Sequence, residues 1–157
     1  MDSSLDEKLQ GCLAERPRML IRMVNLVKKD MDNRLMEQLQ QRGYADFKMG
    51  DMVFIANIAP EGIINNELAK KAHITKQAMS KVVKNLEAAG YIITRKHESD
   101  NRATVIFLSD KGKELVIAAT ESVLEIEQYY SSLIGATDME TTRDVLQRLT
   151  GILYPGV

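Results

Sequence analysis

Apolar residues recur along most of this 157-residue chain with the 3.6-residue period of a helix. Leu20, Val24, Val27, Met31, Leu35 and Leu39 form one such stripe between Pro17 and Gly43. Pro17 fits a first turn, and the stretch predicts a helix of roughly 25 residues, about 37 Å long at 1.5 Å each. Ahead of it, Leu5, Leu9 and Leu13 share a face of a shorter helix, which Ser4 and Glu7 would open as a capping box. Met52, Ile55 and Ala59 predict another short helix over 51–59, stopped by Pro60 and Gly62, with Ile63 and Ile64 as a first strand. Leu115, Ala119, Ile126, Tyr130 and Leu133 mark a long helix that Ser109 caps and Gly135 ends. A second capping box, Thr137 with Glu140, would open a last helix carrying Val145, Leu149 and Ile152 and ending before Pro155.

The middle of the chain breaks this rhythm. Residues 65–72 are a short amphipathic stretch with Asn65 able to cap it. Residues 73–75 then lead into a second helix over 75–89, with Thr75 as its N-cap. Two helices joined by so short a turn form a helix-turn-helix pattern. His73 sits where such turns often need positive φ, a region His tolerates better than most residues. Gly90 ends the second helix. The β-branched and aromatic runs 91–95 and 103–108 flank a polar segment and read as a hairpin. A helix-turn-helix followed by a hairpin is a winged helix, so the expected fold is mostly α with a short β wing.

On the 75–89 helix, Met79, Val82, Val83 and Leu86 fall on one face; Gln77, Ser80, Lys81 and Lys84 fall on the other. That polar face holds no acid, and Glu87 is the only acid in the helix. A merely solvated helix would usually mix acids with its lysines, so this face suits a polyanion. The net charge of −1 hides an asymmetry. Residues 62–112 hold nine Lys/Arg against five Asp/Glu, whereas residues 113–157 hold three against seven. With 45% hydrophobic and 27% charged residues the composition is that of a globular protein. No apolar run reaches membrane-spanning length and no signal-peptide pattern opens the chain, so a cytoplasmic location is expected. The single cysteine, Cys12, excludes a disulfide within the chain.

The middle segment resembles the MarR family of bacterial transcription regulators. The residues that carry the resemblance are Glu67-Leu68-Ala69, Leu86, Gly90 and the wing motif Asp100-x-Arg102-x5-Leu108-Ser109-x-x-Gly112. The match covers roughly a third of the chain. It implies a DNA-binding set of Asn65, Thr75, Lys76, Gln77, Ser80, Lys81, Lys84, Arg95, Lys96 and Arg102. Within it, Gln77, Ser80, Lys81 and Lys84 would face base edges and nearby phosphates, while Lys76 and the start of the preceding helix face the DNA backbone. Arg102 would enter the minor groove. Asp100 is an acid beside DNA, so its expected duty is structural: orienting Arg102 or capping the turn.

The resemblance further implies a homodimer tied by its terminal helices, 1–43 and 113–157, around a winged-helix lobe at 49–112. The long terminal helices point the same way, because one copy cannot bury their stripes. The expected function is a repressor on double-stranded DNA at a pseudopalindromic operator, relieved by a small aromatic or lipophilic effector. The effector would sit between dimer helices and lobe, in residues the sequence does not identify. Cys12 lies where peroxide-sensing relatives carry a reactive thiol, but its neighbours do not match that motif, and a buried small hydrophobe is expected. His73 and His97 belong to no ligand cluster, so neither metal nor cofactor is expected. Nor does any nucleotide-binding or catalytic constellation suggest an enzyme. The rival reading is a winged-helix protein-interaction module without a DNA site.

Overall fold

The computed structural model describes residues 3–99 and 103–155. Its elements are α1 (Ser3–Glu15), a 3₁₀ turn (Arg16–Arg18), α2 (Leu20–Gln41), a second 3₁₀ turn (Met49–Asp51), α3 (Met52–Ile55), β1 (Ile63–Ile64), α4 (Asn65–Lys71), α5 (Lys76–Ala88), β2 (Ile92–Lys96), β3 (Thr104–Leu108), α6 (Asp110–Ile134) and α7 (Ala136–Leu153). The strands form one antiparallel sheet in the order β1-β3-β2, with Ile63 opposite Ile106 and Thr94 opposite Ile106 from the other side. This is a mostly α protein with a small winged sheet, as the alternating helical and β-branched runs predict.

One core gathers the middle of the chain. Leu35 and Leu39 from the end of α2, Phe54 and Ile55, Leu68, Met79, Leu86, Tyr91, Ile92, Ile106, Leu115 and Ile126 are all buried in a single cluster. The ends behave differently. No residue of α7 is buried, and α2 buries only Leu35 and Leu39. Leu5, Leu9, Leu13, Leu20, Val24, Val27, Val145, Leu149 and Ile152 are all exposed in one copy.

Several local expectations are corrected. Helix α1 already includes Ser3, so Ser4 lies inside it rather than at its cap. Pro17 lies in a separate 3₁₀ turn that starts at Arg16, and α2 begins at Leu20 with 22 residues. The helix expected over 51–59 is only four residues long. It tightens at once into i+3 bonds (Asn57 N–H to Phe54 O at 3.1 Å, Ile58 N–H to Ile55 O at 3.2 Å), which carry Ile58 into the core. Thr137 does not cap α7: the helix already contains Ala136, and Gly135 at φ 92° takes the cap position. Cys12 is exposed, not buried, as are the other described side chains of α1.

Close approach explains one glycine of the wing motif. A Cβ on Gly112 would lie 2.0 Å from the Tyr91 carbonyl oxygen and 3.3 Å from Leu108 Cδ2. The first turn of α6 is therefore pressed directly on the Tyr91 backbone, between α5 and β2. Ser109 fixes it there: its Oγ accepts the Gly112 N–H at 3.0 Å, donates to Gly90 O, and its own N–H donates to Tyr91 O at 3.1 Å.

Candidate nucleic-acid interface

Helix α4 starts directly from β1, so Ile64 occupies its N-cap and no side chain caps it. Asn65 is therefore its first helical residue rather than the cap expected from the sequence. Its Oδ1 is buried and makes no hydrogen bond among the described residues. At the other end, His73 N–H bonds Lys70 O and Ile74 N–H bonds Ala69 O, both at 3.1 Å. That is a Schellman closure, which needs a left-handed residue, and His73 supplies it at φ 53°. Thr75 then caps α5 as expected, its Oγ1 accepting the Ala78 N–H at 3.2 Å.

The two faces of α5 separate as the spacing predicts. Met79 and Leu86 are buried, and Val82 and Val83 are half-buried against the core. Thr75, Lys76, Gln77, Ser80, Lys81 and Lys84 are all exposed. None of the three lysine ammonium groups makes an ion pair with a described residue. The Ser80 hydroxyl donates back to Lys76 O at 3.0 Å, so in this rotamer it presents only lone pairs outward. The result is a helix surface with three cations and an amide for which no partner is found among the described residues. Such a surface can attract phosphates and pair with base edges.

The hairpin continues beside it. Arg95 and Lys96 are exposed on β2, and the Arg95 guanidinium carbon lies 5.5 Å from the Phe107 ring centroid on β3. Asp100 and Arg102 lie outside the described residues. Two networks escaped sequence reasoning because they join distant segments. In one, Glu87 Oε1 accepts both the Thr94 N–H (3.1 Å) and the Thr94 hydroxyl (2.7 Å), linking α5 to β2. In the other, Asp46 accepts from Tyr91 Oη at 2.6 Å and from Lys111 Nζ at 2.8 Å. Lys111 Nζ also donates to Ala89 O at 3.0 Å, placing a cation on the last carbonyls of α5.

The Asp46 cluster shifts its own titration. Lys111, and then Tyr91, hold the Asp46 carboxyl below its ordinary range; burial, and then Asp46, push the Tyr91 hydroxyl up. A depressed carboxyl stabilises the fold above its unfolded pKa, so this tie persists at neutral pH and is lost as pH falls below the usual carboxylate range.

Between α2, α6 and α7 lies an open cavity of about 930 Å³, lined mainly by Leu26, Val27, Met31, Leu133 and Leu146. Its charged groups are paired. Asp30 is bonded by Arg34 and by Tyr130, whose hydroxyl is pushed up to about 12 by burial and then by Asp30. Arg143 bonds Glu127 and Glu140.

Residues 59–104 match the MarR family model. Over 90 residues the chain is 30% identical to an uncharacterized HTH-type transcriptional regulator, YdgJ, of Bacillus subtilis (strain 168), a match covering 55% of this chain. The chain spans about half the length of that relative, 53%. Among solved structures, the fold is similar to MarR, with a TM-score of 0.71 at 17% identity over 85% of this chain and 96% of that one. It is equally similar to the transcriptional repressor CouR bound to a 23-mer DNA duplex, with a TM-score of 0.70 at 16% identity over 87% of this chain and 95% of that one.

Proposed function

We propose that the chain, whose residues 59–104 match the MarR family model, is a member of that family and a homodimeric, sequence-specific transcription regulator. It represses from a pseudopalindromic operator and acts in the cytoplasm. The observation that carries this reading is the exposed face of α5, where Gln77, Ser80, Lys81 and Lys84 share one surface whose cations are unpaired by any described residue. The fold similarity to a repressor held on duplex DNA supports the same use of the face. Regulators of this family act by binding, not by catalysis, and the chain is read accordingly.

The apolar stripes at both ends support the dimer. Residues 1–43 and 113–157 would tie two copies together, leaving 49–112 as the DNA-binding lobe, with each lobe over one half-site. A small aromatic or lipophilic effector relieves repression in this reading, which the apolar cavity between α2, α6 and α7 supports. Asn65, Thr75 and Lys76 would contact the backbone of the major groove, Arg95, Lys96 and Arg102 would belong to the wing's contacts, and Asp100 would support Arg102.

Selection of binding sites from a randomised duplex library tests the assignment. Gln77→Ala is expected to relax base preference at one position and to cost about 1–3 kcal/mol per half-site. Arg102→Ala is expected to weaken binding most on A·T-rich flanks while leaving the major-groove preference intact. Unaltered preferences in both variants would remove the base-reading role from these residues.

A further inference from the structure

The only acid of α5 stands next to a cationic, DNA-facing surface, where its charge opposes binding. A pair of hydrogen bonds to the wing strand offsets that cost. Strand β2 is an edge of the sheet, and the Thr94 N–H that faces away from β3 is met by Glu87 Oε1 at 3.1 Å, together with the Thr94 hydroxyl at 2.7 Å. Both bonds converge on one oxygen, so a single acceptor atom ties the strand to the helix. Thr94 is followed immediately by Arg95 and Lys96. We propose that Glu87 is a positioning residue for DNA recognition: it fixes the wing strand to the recognition helix, so that Arg95 and Lys96 reach phosphates while α5 occupies the groove.

The inference rests on the DNA-binding reading above. It requires Glu87 as an acceptor and not as a charge. Glu87→Gln keeps the carbonyl oxygen and removes the charge, whereas Glu87→Ala removes both.

The test uses the full chain and a duplex selected by the wild type, with binding measured across a salt series. Glu87→Ala is expected to lose about threefold to tenfold in affinity, the equivalent of about one ordinary hydrogen bond, as the wing strand is released from α5. Its salt slope should become shallower by about one to two per subunit, as the Arg95 and Lys96 contacts are lost. Glu87→Gln is expected to keep the wild-type slope and bind at least as tightly, because a repulsive charge has gone. Thr94→Val, which keeps the N–H and deletes only the hydroxyl, should fall between and also serves if Glu87→Ala fails to fold. If alanine and glutamine variants both gain affinity with unchanged slope, Glu87 is only a repulsive charge and the inference is overturned. A wild type that binds while every variant matches it overturns the inference alone. A wild type that selects no duplex overturns the DNA-binding reading, and this inference with it.

Discussion

Replacing Lys76, Lys81 and Lys84 together by alanine is expected to reduce affinity for duplex DNA on the order of 10³- to 10⁴-fold near physiological salt. Each lysine that neutralises a phosphate adds about 0.9 to the slope of log affinity against log salt. Three per subunit make six per dimer, so the slope should fall by about five. Stability should hardly change. The three side chains are exposed and form no ion pair with a described residue, and surface substitutions of that kind usually stay within about 0.5 kcal/mol. Binding isotherms at several salt concentrations, with melting curves alongside, check both halves. A triple variant that melts normally and keeps the wild-type slope would take the α5 face out of the interface.

Gly112→Ala is expected to destabilise the fold despite adding only one methyl group. The new Cβ would stand 2.0 Å from Tyr91 O and 3.1 Å from Tyr91 C, both backbone atoms, so no side-chain rotation relieves the contact. Either α6 must lift at its start or the Tyr91 backbone that leads into β2 must move. Either movement loosens the Ser109 bonds to Gly112 N–H and Gly90 O. Overpacking of this kind costs about 1–3 kcal/mol and more where backbone must shift, which for a chain of this size lowers Tm by roughly 2–12 °C. The contrast is Gly151→Ala within α7, where a Cβ meets nothing within 4 Å. There alanine should stabilise by about 0.5–1 kcal/mol through its better helix propensity. Thermal melting of the two variants decides it, and a Gly112→Ala protein as stable as the wild type would show that the contact at Tyr91 yields freely.

What was legible in the sequence follows the range of the interactions involved. Thr75, Ser109, Gly90 and His73 act on backbone groups a few residues away, and each does so here with the geometry that local rules anticipate. The division of α5 into buried and exposed faces needed only a period of 3.6. Local rules failed where a neighbouring element took over. Ile64, still extended from β1, holds the cap position that Asn65 was expected to fill, and Gly135 displaces Thr137 at the start of α7.

Contacts between distant segments left no local trace. Glu87 reads as a stray acid until β2 is laid beside α5, and Asp46 reads as a loop residue until Tyr91 and Lys111 close on it. Cys12 shows the converse. Neighbours that do not match a sensing motif suggest a buried small hydrophobe, but in one copy of the chain Cys12 is exposed.

The most direct test of the account is the salt dependence of wild-type binding to a duplex selected from a randomised pool, from about 0.05 to 0.3 M salt. At least three phosphate contacts in each subunit of a dimer predict a slope of about −5 or steeper. A slope near zero, or no selected duplex at all, would contradict the proposal that the α5 face is a DNA-binding surface.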